Sequence, residues 1–125
     1  MQVTRMDSHG GWLATATDLV RFAVHVDGYA TKPDILDSAS IAAMTTPSTA
    51  NSGYAKGWAV NQSNNWWHIG SLPGTGTILV RTSGGFCWAV LLNTRVNNDA
   101  FFSALDSLMW KVNGEVKDWP AYDLF

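Results

Sequence analysis

The sequence predicts an α+β domain: an antiparallel sheet of about four strands in meander order, flanked by an N-terminal and a C-terminal helix. Three observations lead there. Four short apolar runs, near 54–61, 65–70, 76–82 and 86–93, follow one another with only turn-sized gaps. Two of those gaps hold Asn61-Gln62-Ser63-Asn64 and Ser83-Gly84-Gly85, whose chemistry favours hairpins over helical crossovers. On both sides of this block, apolar residues recur at helical spacing. Helices packed on one face of the meander are the expected layout.

Taken in order, Asp7 to Trp12 reads as a loop, with Gly10-Gly11 open to close backbone approach. Thr15 or Thr17 caps a helix over about 18–26, where Leu19, Val20, Phe22, Ala23 and Val26 form a stripe. Asp18 complements its positive end, and Gly28 is the expected stop. Asp37 or Ser38 then caps a short second helix over about 39–45, closed by Pro47. After the strands, about 97–112 forms a helix with Asn98 or Asp99 near its cap. Its stripe is Phe101, Phe102, Leu105, Leu108 and Met109. Residues 1–125 are expected to form a single domain, with 113–125 as a docked tail.

Composition narrows the function. With 46% apolar and 14% charged residues the chain is not disordered, and so little charge points to surface covered by further polypeptide. A net charge of −2 without a Lys or Arg run offers nucleic acid nothing to grip. No apolar run approaches the roughly 18 residues of a membrane span. Cys87 is the only cysteine and sits in an apolar run, Phe86 to Leu92, so an inert buried thiol is expected rather than a disulfide. The three histidines lack ligand spacing, and no metal or other cofactor is expected.

The chemistry concentrates in His68-Ile69-Gly70-Ser71-Leu72-Pro73-Gly74-Thr75-Gly76. A basic side chain, a glycine and a small residue with a free backbone N–H suit the flank of a reacting carbonyl. His68 offers charge or a proton, Gly70 room for substrate, and the Ser71 N–H an oxyanion donor. The bland reading of His68 is a histidine hydrogen-bonded at a strand end. The Ser71 hydroxyl is not the expected nucleophile, because three residues along a strand it lies on the face opposite His68. His9, in a loop, and His25, on the polar side of a helix, read as ordinary.

Seven tryptophans raise a different possibility, a stacking platform for sugars. Trp66 and Trp67 are adjacent and point to opposite faces, so at most one of them joins any platform. Trp88 and Trp110 lie in apolar runs and read as core. Trp58 and Trp66 are the expected substrate-cleft residues.

Three segments in this order carry a family resemblance: Gly10-Gly11-Trp12-Leu13-Ala14-Thr15-Ala16-Thr17-Asp18-Leu19-Val20-Arg21-Phe22, then Gly53-Tyr54-Ala55-Lys56-Gly57-Trp58, then His68-Ile69-Gly70-Ser71-Leu72-Pro73-Gly74. Over about residues 10–112 the chain resembles the C-terminal part of the serine β-lactamase-like superfamily. The branch it looks most like is the class C β-lactamase, D-alanyl-D-alanine carboxypeptidase and esterase group. The resemblance implies a partial β-lactamase/transpeptidase-like fold, a periplasmic or extracellular setting, and acyl transfer on a β-lactam, a D-Ala-D-Ala peptide or a small ester. It assigns His68 to the third motif, His-x-Gly, with the Ser71 N–H as one of two oxyanion donors. The other two motifs, Ser-x-x-Lys and Tyr-x-Asn, occur nowhere in the chain. Tyr54-Ala55-Lys56 lacks the asparagine and lies in the stretch just before the third motif, so it is not counted as the second.

The chain is therefore expected to supply one wall of a hydrolase site and to be inactive alone. It would associate with the missing N-terminal portion or with itself. The alternative is a non-catalytic domain that binds a ligand, such as a glycan on its tryptophans, or a partner. Residues 1–7 contain no apolar signal core, so an export signal, where there is one, is expected to precede Met1.

Overall fold

A computed structural model of the chain describes residues 2–98 and 100–122. After a single 3-10 turn at Val3–Arg5 come α1 (Ala16–Val24) and α2 (Ser38–Thr45). The strands β1 (Ala59–Val60), β2 (Trp66–Leu72), β3 (Thr75–Arg81) and β4 (Cys87–Leu92) follow, and α3 (Ala100–Glu115) closes the fold. The sheet has the order β1-β2-β3-β4 with every pair antiparallel, the expected four-strand meander. No helix among the described residues is long and apolar enough to cross a membrane.

Local chemistry sets the helix starts. Thr15 caps α1: its hydroxyl accepts from the Asp18 N–H at 3.1 Å, and the Asp18 carboxylate accepts from the Thr15 N–H at 3.1 Å. This reciprocal box starts the helix at Ala16, two residues before the expected position. The Thr15 hydroxyl also donates to the Asp18 carboxylate at 2.7 Å, and this bond, with that from the Thr15 N–H, holds the Asp18 carboxyl below its ordinary value. His25, expected on the helix, instead caps its C-terminus, with its Nδ1 2.9 Å from the Pro33 carbonyl. Asp37 caps α2 by accepting from the Ser40 N–H at 2.7 Å. Of the two residues expected near the α3 cap, Asp99 lies outside the described residues, and the Asn98 carbonyl accepts from the Phe101 N–H at 3.3 Å.

Turn residues set the strand ends. Asn64 takes φ 57, a left-handed value that asparagine tolerates, in the turn closed by the Asn64 N–H to the Asn61 carbonyl. Pro73 and Gly74 (φ 81) make a two-residue link between Leu72 and Thr75, so β2 runs two residues past its expected end. The first strand shows the largest departure. The run expected over 54–61 folds back on itself: Ala55 N–H donates to the Trp58 carbonyl at 2.7 Å, Tyr54 bridges Ala59, and only Ala59–Val60 remain as strand. Gly57, at φ 82, makes that reversal possible.

Strand alternation divides the interior into two clusters. On one face Ile78, Val80 and Trp88 pack with Leu105 of α3, edged by Trp67, Val90, Leu92 and Met109. Gly76 lies on this face because Phe101 of α3 occupies the space that a Cβ would need. On the other face Val60 and Trp66 pack with Trp58 and Ile41 of α2, edged by Leu79. Arg81 shares this second face and reaches the chain just after α1. Helices thus cover both faces rather than one, a correction that follows from apolar side chains on alternate residues of β3 and β4.

Arg81 is 5% exposed, and its guanidinium lies between two rings, 4.2 Å from the Tyr29 centroid and 4.0 Å from that of Trp66. Its Nε and Nη2 donate to the Asp27 carbonyl at 3.0 and 2.6 Å, and its Nη1 donates to the Asn64 carbonyl at 3.0 Å. Tyr29 is itself fixed by donating its hydroxyl to the Thr82 carbonyl at 3.0 Å. Arg81→Ala would leave the buried Asp27 carbonyl and the partly buried Asn64 carbonyl without their donor, and two ring faces uncovered. It is expected to lower stability by about 3 kcal/mol, or roughly 10 °C in Tm for a domain of this size. Thermal unfolding followed by circular dichroism checks this, and a shift of a degree or two would contradict it.

A cleft of about 280 Å³ between the sheet and α3 is lined by Trp67, Ile69, Asp106 and Trp110 among others. Burial raises the Asp106 carboxyl above its ordinary value, opposed by a hydrogen bond from the Trp110 side chain. A carboxyl raised in the folded state binds protons more tightly there than in the unfolded chain. Stability therefore falls as pH rises from the ordinary carboxylate value through the raised one. Asp106→Asn removes this dependence. The variant should gain stability over the native chain at pH 7, and the gain should vanish as pH falls to the ordinary carboxylate value. Parallel pH profiles for the two proteins would exclude it.

Candidate functional site

The residues singled out in the sequence fall on β2, where the sheet changes character. β1 pairs only with Trp66 and Trp67, so from His68 onward β2 has β3 on one side and no strand on the other among the described residues. Leu72 and Thr75 flank the two-residue turn and form the hydrogen-bonded pair that closes it. Alternation from that pair makes Ser71↔Gly76 a non-hydrogen-bonded pair, so the Ser71 N–H points away from β3 and toward the open edge.

His68 is exposed and shares a face with Trp66, Gly70 and Leu72, while the Ser71 side chain lies on the opposite face with Trp67 and Ile69. The His68 imidazole Nε2 is 3.1 Å from the Tyr54 hydroxyl, and the two rings meet edge to face with centroids 6.2 Å apart. Tyr54 is placed by the short fold-back before β1. Its neighbour Lys56 ties that segment to α2, with its N–H 3.0 Å from the Met44 carbonyl and its Nζ 2.7 Å from the Ala43 carbonyl.

Gly70 lies where the paired strand comes close. A Cβ added there would overlap the Thr77 hydroxyl oxygen on the paired residue of β3. The Thr77 hydroxyl sits on the His68 face, beside the glycine expected to leave room for substrate. Trp58 and Trp66, the expected cleft residues, are buried at 6% and 4% exposure, with ring centroids 6.5 Å apart in the cluster with Ile41 and Val60. Trp66 additionally covers Arg81 and donates its indole N–H to Asn64 Oδ1 at 2.8 Å. Its ring faces are committed inside the fold, which corrects the expectation that they line a cleft beside His68.

The structure brings Tyr54 to His68 and sets Thr77 beside Gly70 on the His68 face, with the Ser71 N–H on the edge of the same strand. Tyr54 and Thr77 were not among the sequence candidates. In the sequence Tyr54 stands out only beside a motif it does not fit, and Thr77 becomes visible only through its register with Gly70. Cys87 is free, and burial pushes its thiol up to about 12, which makes it inert at neutral pH. Among the described residues no three His, Cys, Asp or Glu side chains gather to hold a metal ion.

Because Thr77 blocks a Cβ at position 70, Gly70→Ala is expected to destabilise the chain by about 1–3 kcal/mol. Thr77→Ala in the same molecule should restore most of that loss. Denaturant titration of the four proteins in this cycle checks the pair, and purely additive losses would contradict the contact.

Comparison with known proteins gives the family of the chain. No curated protein and no solved structure matches the chain. The family model described as Beta-lactamase matches residues 1–108, a span that holds α1, α2, the whole sheet and the first half of α3. With most of its length inside that match, the chain belongs to the beta-lactamase family.

Proposed function

We propose that the chain supplies one wall of an acyl-transfer site in a serine hydrolase of this family, and that the attacking serine comes from another stretch of polypeptide. The observation that carries the reading is the Ser71 amide: unused by the ladder and on the open edge of the strand that presents His68. A backbone donor held there suits the oxygen of a tetrahedral intermediate, which needs donors about 2.7–3.1 Å away. His68 then supplies charge or a hydrogen bond beside the nucleophile. The substrate is a β-lactam, a D-Ala-D-Ala peptide or a small ester, chemistries that share a carbonyl open to attack.

That the serine lies outside this chain is supported by the sequence: none of its ten serines has lysine three residues on. The proposed neighbour, the N-terminal portion or a second copy, has surface to cover. Trp12 is 77% exposed and Leu13 94%. β4 has no strand on its outer side among the described residues although Cys87–Leu92 is apolar throughout. The competing reading, a non-catalytic ligand-binding domain, draws on the sheet–α3 cleft, where Trp67 and Trp110 stand near Asn61, Asn65 and Asp106.

Reaction with a fluorescent penicillin or phosphonate tests the proposal. The isolated chain should remain unlabelled, whereas protein extended by the coding sequence upstream of Met1 should be acylated stoichiometrically. In the extended protein His68→Ala should slow acylation by about a hundredfold or more. Labelling of the isolated chain would overturn the reading. Extended protein that resists acylation while the chain binds a glycan with quenched tryptophan fluorescence would favour the non-catalytic one.

A further inference from the structure

We propose that Tyr54 is a positioning residue for His68, fixing which imidazole nitrogen carries the proton; this rests on the reading of His68 as a site group. The Tyr54 hydroxyl lies 3.1 Å from His68 Nε2, and the edge-to-face contact of the rings limits rotation of the imidazole. A phenol O–H is a more acidic donor than a neutral imidazole N–H, and an imidazole nitrogen is a better acceptor than a phenol oxygen. The bond is therefore O–H to N, with tyrosine donating. Nε2 becomes the acceptor, and the proton of neutral His68 resides on Nδ1.

The consequence is chemical. Neutral His68 presents an N–H donor at Nδ1, because its lone-pair nitrogen is already occupied by Tyr54. It acts on a substrate carboxylate, a carbonyl or the nucleophile's oxygen by donating a hydrogen bond, not by accepting a proton at Nε2. The tyrosine is held for this task by backbone bonds on both sides: the Gly53 carbonyl accepts from Val60 N–H at 3.0 Å, and Ala55 N–H donates to the Trp58 carbonyl. The fold-back that shortens β1 thus delivers the hydroxyl to the imidazole.

Nitrogen-15 labelling of the histidines and long-range N–H correlation spectra at pH 8, where an ordinary imidazole is neutral, read the tautomer directly. His68→Asn assigns the signal. The native chain should show His68 mainly protonated on Nδ1. Tyr54→Phe keeps the ring contact and removes the hydroxyl, and should shift the tautomer ratio toward Nε2–H by about fivefold, the equivalent of one net hydrogen bond. His25, whose Nδ1 faces the Pro33 carbonyl, serves as the reference that should not move. A native chain with His68 protonated mainly on Nε2 overturns the proposal without any variant, and so does a ratio unchanged in Tyr54→Phe. Neither result touches the reading of His68 as a site group, which fails separately if His68→Ala leaves acylation of the extended protein unchanged.

Discussion

The placement of the site depends on one buried cation. Arg81 ends β3, yet its hydrogen bonds run to Asp27 after α1 and to Asn64 in the turn before β2. Its flat faces are covered by Tyr29 and Trp66. Burying a guanidinium is costly unless its donors are paired. Here three donors are engaged by backbone carbonyls, and two aromatic rings stand in for lost solvent. The same interaction raises a conflict at Asp27, whose carboxyl is pushed up by burial and held partly down by the Tyr29 N–H and the Arg81 charge. Three segments distant in sequence are joined at one point, and Trp66 is the first residue of β2. Since side chains alternate strictly along a strand, fixing Trp66 against Arg81 fixes the face of His68 two residues on. It also fixes the direction of every amide up to the Pro73-Gly74 turn.

Much of this was legible in the sequence because it rests on local chemistry. Thr15 with Asp18, Asp37 with Ser40, and the Asn61–Asn64 and Ser83–Gly85 turns act within a few residues of themselves. They mark the same helices and hairpins in the structure that they mark in the sequence. His68-Ile69-Gly70-Ser71 was legible for a related reason: a strand alternates, so opposite faces for the histidine and the serine side chain follow from spacing alone. What the sequence did not disclose is set by contacts between segments. Trp58 and Trp66 look like ligand-facing aromatics until Ile41, Val60 and Arg81 cover them. Gly70 looks like room left for a substrate until Thr77 is seen opposite. Residues 54–61 look like one strand, because the reversal at Gly57 is offset by no polar cluster that would announce it.

Two kinds of construction meet on the open edge of β2, and they respond differently to change. The Ser71 N–H belongs to the backbone. Its direction follows from the register with β3, and no substitution at position 71 other than proline, which has no N–H, removes it. Only a slip of register or a different turn at Pro73-Gly74 would redirect it. The imidazole of His68 hangs on a rotatable side chain at an exposed position, and the fold's contribution there is the hydroxyl of Tyr54. An electrostatic site works best when its donors are already oriented before charge develops. The backbone donor meets that demand through the sheet itself, whereas the imidazole meets it only through a neighbour 14 positions away.

That difference bears on how such a wall can diversify. A donor built from main chain is common to any sequence that keeps the hairpin, so it carries little information about which carbonyl is attacked. In the proposed site, discrimination between carbonyl substrates would then fall to side chains: His68, the residue that orients it, and the Thr77 hydroxyl over Gly70. Thr77 sits in an unusual balance. In its present rotamer its hydroxyl fills the space that a Cβ at position 70 would need, on the same face as the imidazole. The glycine of the motif and the threonine of the next strand are therefore a single unit, and a change at one is felt through the other. In the proposed site the backbone would supply the fixed donor, and three side chains brought together by the fold the part that substitution can change.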